Sequence, residues 1–211
     1  MAKLIIALYM ESDASLQGCK VKNMSLLEDL SRVDYLFCDK TGTLTQNHLL
    51  FRGLCLKGGL IVADPKELER CADLEDFVRV VCLCHDVTRV KNEGPSFLTG
   101  SSQDELELLK AVSGFKIGQF VDRDSETIKI EVFGRIEVWR NLKMFEFSSE
   151  RKMMSRLMEN VETGEVRLFL KGADCAVMDR STVVDGKLVE AVDGFANRGL
   201  RTLAFATRPF A

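Results

Sequence analysis

The sequence has no excess of basic residues and no long apolar run, and each absence argues against a class of function. Its formal net charge is -3 over 211 residues, whereas nucleic-acid-binding domains usually carry a basic face, so no nucleic-acid partner is expected. The apolar run at residues 4–10 is far shorter than the roughly 20 residues that cross a bilayer. It also lacks the basic flank and cleavage site of a signal peptide. We therefore expect these 211 residues to be soluble.

Cysteine and histidine are present without the spacing that a disulfide framework or a zinc site needs. The seven cysteines are odd in number and lie mostly inside apolar runs, which is typical of a reducing compartment, where cysteine behaves as a small hydrophobe. Cys82, Cys84 and His85 form a local cluster, but no second ligand pair follows at zinc-finger or ribbon spacing. We therefore expect no zinc site there.

Apolar residues recur at helical spacing in some segments and at alternate positions in others, which predicts an α+β fold with an antiparallel sheet and flanking helices. Residues up to about 48 are interpreted as a strand and a loop, and the remainder as a separate α+β domain. The predicted helices cover about 25–31, 65–84, 102–114, 173–180 and 188–198; the predicted strands cover 33–38, 49–56, 128–132, 145–147, 166–170 and 202–206, with an exposed loop over 87–100.

Local signals support several of these boundaries. Pro65 suits a first helical position, and Ser102 followed by Glu105 has the spacing of a capping box, in which each side chain accepts a hydrogen bond from the other residue's backbone. The dipeptide at 163–164, Thr-Gly, predicts a hairpin turn. Gly199 is placed as the C-terminal cap of the preceding helix.

An aspartate directly follows the predicted strand at 33–38. Asp39 begins the string Asp-Lys-Thr-Gly-Thr-Leu-Thr over residues 39–45. A carboxylate at the end of a strand, where ligands of open α/β sheets bind, offers a nucleophile beside exposed backbone N–H groups. Gly42 allows the sharp turn that directs those groups inward. The structural alternative for a lone Asp before a glycine is an ordinary turn.

Thr41 occupies the position two residues after this candidate nucleophile. In haloacid-dehalogenase phosphatases that position is a second aspartate, a general acid and base that speeds loss of the phosphate. Threonine has no proton of suitable pKa, so an aspartyl-phosphate at Asp39 is expected to persist. This favours a pump over a phosphatase.

The string at 39–45, with Gln and Asn at 46–47, matches the phosphorylation signature of P-type ATPases. The chain resembles the phospholipid-flippase branch of that family from about residue 25 to its end. Asp174 follows Lys-Gly-Ala where ion-pumping relatives carry Pro-Glu, and this favours lipid over ion transport. The departures are Gln103 in place of proline, Met153 in place of arginine and Arg198 in place of an acidic residue. The segments that carry the resemblance are 26–30, 102–105, 145–155, 171–174 and 195–203.

The resemblance implies roles for residues in both parts of the chain. Asp39 would accept the γ-phosphate of ATP, with Lys40 and Thr41 in the same catalytic loop and with Asp39 and Thr41 as ligands of Mg²⁺. Phe147 would stack on adenine, and Lys171, Arg201 and Glu105 would complete the nucleotide site. The pattern alone favours a core role for Phe147, a solvated Lys171, a surface ion pair for Arg201 and a capping role for Glu105.

The same resemblance implies a domain organisation and a set of partners. Residues 1–48 would be an incomplete haloacid-dehalogenase-like phosphorylation segment, and residues 49–211 a nucleotide-binding domain truncated at its C-terminus. ATP and Mg²⁺ are the implied cofactors. A phospholipid, reached through an absent membrane domain, and an accessory subunit are the implied partners of the full-length protein. This chain would be a cytosolic part of an integral membrane protein.

Two motifs that the family uses for turnover, Gly-Asp-Gly and Thr-Gly-Asp, do not occur here. We therefore expect the chain alone to bind ATP without hydrolysing it. A cation-transporting P-type ATPase and a non-catalytic adenine-nucleotide-binding module are the alternatives. A free-standing phosphatase fits less well, because it would need an acid at position 41.

Overall fold

The computed structural model describes residues 2–30, 32–46, 48–59, 61–62, 70–90 and 97–210. Its backbone contacts divide the chain into two units, Met1–His48 and Leu49–Ala211. The division falls after residue 48, where the sequence analysis placed the change from a strand and a loop to an α+β domain. The assignment of the two units to a phosphorylation segment and a nucleotide-binding domain stays a prediction.

The described residues of the first unit form two α-helices and irregular backbone. Helix α1 covers Ala2–Ser12 and buries Ala7, and a short 3-10 turn at Ala14–Leu16 follows it. Helix α2 covers Leu26–Leu30, which confirms the helix predicted at 25–31; residue 31 lies outside the described residues.

The predicted strand at 33–38 is wrong. These residues have no regular secondary structure, and Tyr35, Leu36 and Phe37 are 82%, 83% and 91% exposed. A strand forms only where a neighbouring strand pairs with its N–H and C=O groups, and no strand lies in the described part of the first unit. The predicted haloacid-dehalogenase-like α/β arrangement around Asp39 is therefore not seen.

The second unit is built on a six-stranded antiparallel sheet, and the α+β class of this domain is confirmed. The strands follow one another in space in the order β10-β9-β8-β7-β6-β5, so each pairs with its neighbour in the chain. Apolar residues at alternate positions let each strand bury one face against the core and leave the other face to solvent, as is common in antiparallel sheets. Their bounds are β5 Gly118–Arg123, β6 Thr127–Val132, β7 Arg135–Ser148, β8 Met153–Asn160, β9 Val166–Gly172 and β10 Ala204–Phe210.

Two helices pack on one face of this sheet and close the core. Helix α3 covers Ala72–Leu83 and helix α4 covers Gln103–Gly114. The core combines apolar side chains from α3 and α4 with aromatic and branched side chains of the sheet, among them Leu74, Val78, Leu109, Ile130, Trp139 and Phe169. The segment that follows the C-terminus of α3 contacts β8 at Cys84 and His85.

Other predicted elements differ in extent. Only Leu54–Cys55 of the predicted strand at 49–56 is extended, as β1, and it pairs with β2 at Ile61–Val62. The helix predicted from 65 begins at Ala72, and Pro65 lies outside the described residues. The predicted loop at 87–100 contains two short paired strands, β3 at Thr88–Val90 and β4 at Phe97–Thr99.

The remaining turns and helices follow the sequence signals. Gly164 has φ +71 between β8 and β9, and Gly199 has φ +70 after the last helix. Both values lie in the region that glycine adopts without strain. Helix α5 covers Asp174–Met178 and helix α6 covers Gly186–Asn197. These elements confirm the predicted hairpin and both C-terminal helices.

Among the residues that the structure describes, no helix has the length and apolar character needed to cross a membrane.

Candidate functional site

A buried ion pair joins two of the residues predicted to bind nucleotide. The Lys171 Nζ atom lies 2.5 Å from Glu105 Oε1, and the two side chains are only 9% and 11% exposed. Lys171 is the penultimate residue of β9, and Glu105 lies in the first turn of α4. Burying either charge alone would cost several kcal/mol, so each charge requires the other. The fold thus brings two distant segments into one polar site.

The Glu105 carboxylate faces this site instead of serving the helix cap. Ser102 Oγ accepts the Glu105 backbone N–H at 3.4 Å, which is one half of the predicted capping box. The carboxylate, however, accepts the Lys171 ammonium on one oxygen and the Asp86 backbone N–H, at 2.9 Å, on the other. The capping alternative therefore accounts for the Glu105 backbone but not for its side chain.

Two arginines surround the segment that supplies the Asp86 N–H group. Arg156 Nη2 donates to Asp86 Oδ1 and to the His85 carbonyl, each at 3.0 Å, and the Arg156 side chain is only 4% exposed. Arg123 Nη2 donates to the same His85 carbonyl at 2.5 Å. The backbone at 85–86 is therefore held from two strands of the sheet.

His85 is buried and neutral. Its Nε2 lies 3.0 Å from the Cys82 carbonyl, and its Nδ1 accepts the Val87 backbone N–H at 3.0 Å. These partners place the proton on Nε2. Burial, together with the positive charges of Arg123, Lys171 and Arg156, holds the pKa of His85 well below its usual value. The ring therefore braces the loop as a neutral side chain.

Cys84, which precedes His85, is completely buried. Its Sγ is 3.7 Å from the Met154 carbonyl and 3.9 Å from the Phe169 carbonyl. Burial raises the pKa of the Cys84 thiol to about 11, against the opposing effect of Lys171 and Arg156. The thiol is protonated at neutral pH and acts as a packing group.

Arg201 reaches the same end of α4. Its Nη2 lies 2.9 Å from Asp104 Oδ2, and the arginine side chain remains 72% exposed. Asp104 immediately precedes Glu105 in the chain. Arg201 thus places an accessible cation at the N-terminal end of α4, with a carboxylate already bound to it.

Phe147 lies on an irregular part of β7. Phe145 pairs with Ser155 and Ser148 pairs with Met153, so residues 146 and 147 share the position opposite Met154 in a bulge. Met154 in turn pairs with Lys171, which puts Phe147 two strands, or about 10 Å, from the Lys171 backbone. The Phe147 ring is 63% exposed. The core role that the alternating pattern favours is therefore wrong for this residue.

The loop at 39–45 is an exposed turn in the first unit. The Lys40 carbonyl accepts the backbone N–H groups of Leu44 at 3.0 Å and Thr45 at 3.2 Å, and Gly42 has φ +82. The Asp39 carboxylate is exposed and accepts the Lys40 backbone N–H at 2.8 Å. The expected glycine turn is present, but no strand precedes it.

A family model described as "P-type ATPase, cytoplasmic domain N" matches residues 73–211. The chain belongs to this family. The match covers nearly all of α3, and it covers α4 and the whole six-stranded sheet; Glu105, Phe147, Lys171 and Arg201 all lie within it. The identity first inferred from the string at 39–45 is thus confirmed by a different part of the chain.

The curated relatives point to the same branch of the P-type ATPases. The chain is 31% identical to the mouse protein "Phospholipid-transporting ATPase IK" over 89% of its own length and 16% of that protein. It is 32% identical to Arabidopsis thaliana "Phospholipid-transporting ATPase 2" over 88% of the chain and 18% of that protein. It is also 32% identical to human "Phospholipid-transporting ATPase IH" over 90% of the chain and 20% of that protein. The chain spans about a fifth or less of the length of these relatives.

Asp39 and Thr41, the expected Mg²⁺ ligands, both lie in the exposed turn of the first unit. In the part of the chain that the structure describes, no group of three or more His, Cys, Asp or Glu side chains is placed to hold a metal. The role of Asp39 and Thr41 as Mg²⁺ ligands stays a prediction.

Sequence reasoning missed the residues that support the site. Asp86, Arg123 and Arg156 match no motif, and only the contacts reveal them. One signal was available for Arg156: it alternates with Met154 and Met158 on the buried face of β8, and a charge among core positions requires a buried partner.

The shape of the surface does not locate this site. Two clefts of about 370 Å³ and 500 Å³ lie elsewhere on the second unit, and neither is lined by any of the four predicted nucleotide ligands. The position of the site therefore follows from its charges and contacts.

Proposed function

We propose that the second unit binds an adenine nucleotide through Glu105, Phe147, Lys171 and Arg201. The observation that carries this proposal is the buried pair of Glu105 and Lys171. A carboxylate accepts hydrogen bonds and an ammonium donates them, and adenine presents an amino donor beside ring-nitrogen acceptors. The pair therefore offers groups complementary to the edge of the base.

The other two side chains suit the remaining parts of the ligand. The Phe147 ring is exposed, and stacking of an aromatic ring on a base is worth about 1–3 kcal/mol. The exposed Arg201 guanidinium can fork onto phosphate oxygens if these replace Asp104. The base would thus lie over the sheet between Phe147 and Lys171, with the phosphates towards the N-terminus of α4.

For the whole protein, the proposal is a phospholipid-transporting P-type ATPase. An Asp39 carboxylate oxygen would attack the γ-phosphorus, the bond to the bridging oxygen would break, and ADP would leave with its electron pair. Thr41 supplies no acid for hydrolysis, so the acyl phosphate would last long enough to drive transport of a lipid, as the names of the relatives suggest. This chain would then be a cytosolic part of a membrane protein that uses ATP and Mg²⁺, with an accessory subunit as a further partner.

Titration of the 211-residue chain with ADP tests the nucleotide site. Phe147→Ala is expected to weaken ADP binding at least about fivefold, because it removes the stacking surface. Phe145→Ala is the matched control on the same strand: Phe145 is 43% exposed and lies 5.6 Å from the Arg151 guanidinium. Equal ADP affinities for the wild type and Phe147→Ala would reject the stacking role.

Phosphorylation by Mg-ATP tests the acceptor. We expect acid-stable, hydroxylamine-labile phosphate on the full-length protein and none on the 211-residue chain alone. Asp39→Asn in the full-length protein should abolish the label, because an amide is a poor nucleophile. Labelling that survives this substitution would show that Asp39 is not the acceptor.

A further inference from the structure

We propose that Asp86 and Arg156 are positioning residues for the nucleotide site: they hold the backbone at 85–86 so that Glu105 and Lys171 stay paired in the orientation that receives the base. This inference rests on the proposed function. Neither residue would touch the nucleotide. Their effect would pass through the carboxylate of Glu105.

The geometry of Glu105 depends on the Asp86 backbone. One carboxylate oxygen accepts the Lys171 ammonium, and the other accepts the Asp86 N–H group. A carboxylate held at both oxygens by fixed donors keeps one orientation. Moving the Asp86 N–H would release the second oxygen. The carboxylate could then rotate about χ3, a torsion that has no sharp staggered preference in glutamate.

Arg156, on strand β8, holds the segment at 85–86 against the sheet. Its guanidinium donates to the Asp86 carboxylate and to the preceding carbonyl of His85. Arg123 donates to that same carbonyl from β5. Charge-assisted hydrogen bonds of this kind are roughly twice as strong as neutral ones, so the loop is held firmly without a regular secondary structure.

Asp86 also keeps Arg156 away from Glu105. Met154 pairs with Lys171 across β8 and β9, so Arg156, two residues further along β8, is a diagonal neighbour of Lys171 on the same face, about 7–8 Å away. The cluster contains one more positive charge than negative charges: its cations are Arg123, Arg156 and Lys171, and its anions are Asp86 and Glu105. Without the Asp86 carboxylate, Arg156 would compete with Lys171 for Glu105.

A set of substitutions at Asp86 tests this proposal in the 211-residue chain. Asp86→Ala removes the carboxylate that holds Arg156 and is expected to weaken ADP binding about tenfold, which is the order of one hydrogen bond between the base and a Glu105 carboxylate that is no longer held in place. Asp86→Asn retains an oxygen that accepts a bond from Arg156, and it should restore most of the affinity. Glu159→Ala is the matched control. This substitution removes an ion pair with Arg140. Glu159 lies five residues along β8 from Met154, which is about 17 Å, so the substitution should leave ADP affinity unchanged.

A double-mutant cycle separates positioning from general destabilisation. In a Glu105→Gln background, Asp86→Ala should weaken ADP binding no more than about twofold, because the two substitutions act through one carboxylate. An equal loss in both backgrounds, or an unchanged affinity for Asp86→Ala, would overturn the proposal.

A second measurement does not require nucleotide. The Lys171 ammonium should give a slowly exchanging NMR signal in the wild type, because it is buried and bonded to Glu105, and this signal should be lost in Asp86→Ala. If the wild type does not bind ADP but the signal still disappears, the proposed function fails and the positioning role of Asp86 stands. A signal that persists unchanged in Asp86→Ala would overturn the positioning role.

Discussion

At the scale of single residues, Arg201 has a carboxylate partner where the proposed function requires a phosphate. The Arg201–Asp104 contact of 2.9 Å must break when the nucleotide arrives. Asp104→Asn should therefore strengthen ADP binding about two- to fivefold, the value of an exposed ion pair that no longer has to be disrupted. Adenosine, which has no phosphate, should bind both proteins equally. Calorimetric titration with the two ligands measures both effects.

Asp104→Asn also removes a negative charge near the anionic ADP, which could strengthen binding by itself, so this effect requires a separate control. In an Arg201→Gln background, Asp104→Asn should change ADP affinity much less, because the cation that it releases is absent. Glu107→Gln, on the same helix, removes a charge that is paired with Lys110 and should have little effect. A weaker affinity for ADP in Asp104→Asn would contradict the exchange of partners at Arg201.

At the scale of secondary-structure elements, the end of β9 is fixed by a close approach of two strands. The neighbouring strand leaves no room for a side chain at Gly172, the last residue of β9: a Cβ there would lie 2.5 Å from the Lys152 carbonyl oxygen and 2.7 Å from Met153 Cα. We expect Gly172→Ala to lower the free energy of unfolding by about 2 kcal/mol through overpacking and to weaken ADP binding by moving Lys171.

The same substitution in a helix should have the opposite sign. Gly194 lies inside α6, and a Cβ there would have no heavy atom within 4 Å. Gly194→Ala should raise the free energy of unfolding by up to about 1 kcal/mol, the difference in helix propensity between the two residues. Urea unfolding followed by circular dichroism compares the two variants. Equal stabilities for Gly172→Ala and the wild type would show that β8 and β9 can separate at that point without cost.

At the scale of the whole molecule, the buried His85 couples stability to pH. Its folded-state pKa lies well below its usual value, so the unfolded chain binds this proton more readily than the folded one. The stability that neutral His85 contributes is therefore present above the unfolded pKa of about 6.5 and is lost as pH falls below it. Between pH 6.5 and 5.5 the free energy of unfolding should decrease by about 1 kcal/mol from this residue alone.

The chain allows this contribution to be isolated. It contains two histidines and one tryptophan; His48 is exposed, and Trp139 is buried in the core of the second unit. Urea unfolding followed by Trp139 fluorescence at the two pH values should show the decrease in the wild type and its near absence in His85→Gln. Equal pH dependence in the two proteins would mean that folding leaves the pKa of His85 unchanged.

Patterns that depend on near neighbours in the chain predicted much of the second unit. Alternation gave β9, which follows the turn at Gly164, and the signal at Ser102 gave the start of α4. The strand at 33–38 was predicted by the same reasoning and is wrong, because strand formation depends on a partner that the local sequence does not contain. Phe147 shows a similar limit: alternation groups Phe145 and Phe147 on one face of β7, but it does not tell whether that face is covered, and both side chains are exposed.

The amino-acid sequence by itself determined the family, the class of the second unit and the identity of the four candidate nucleotide ligands, because motifs and periodicities are properties of residues close together in the chain. Only the tertiary structure decided that the Glu105 carboxylate is bonded to Lys171 and Asp86, that Arg156 lies behind them, and that Gly172 is required by β8. Each of these contacts joins segments far apart in sequence, and burial of a charge fixes its partner only after the chain has folded around it.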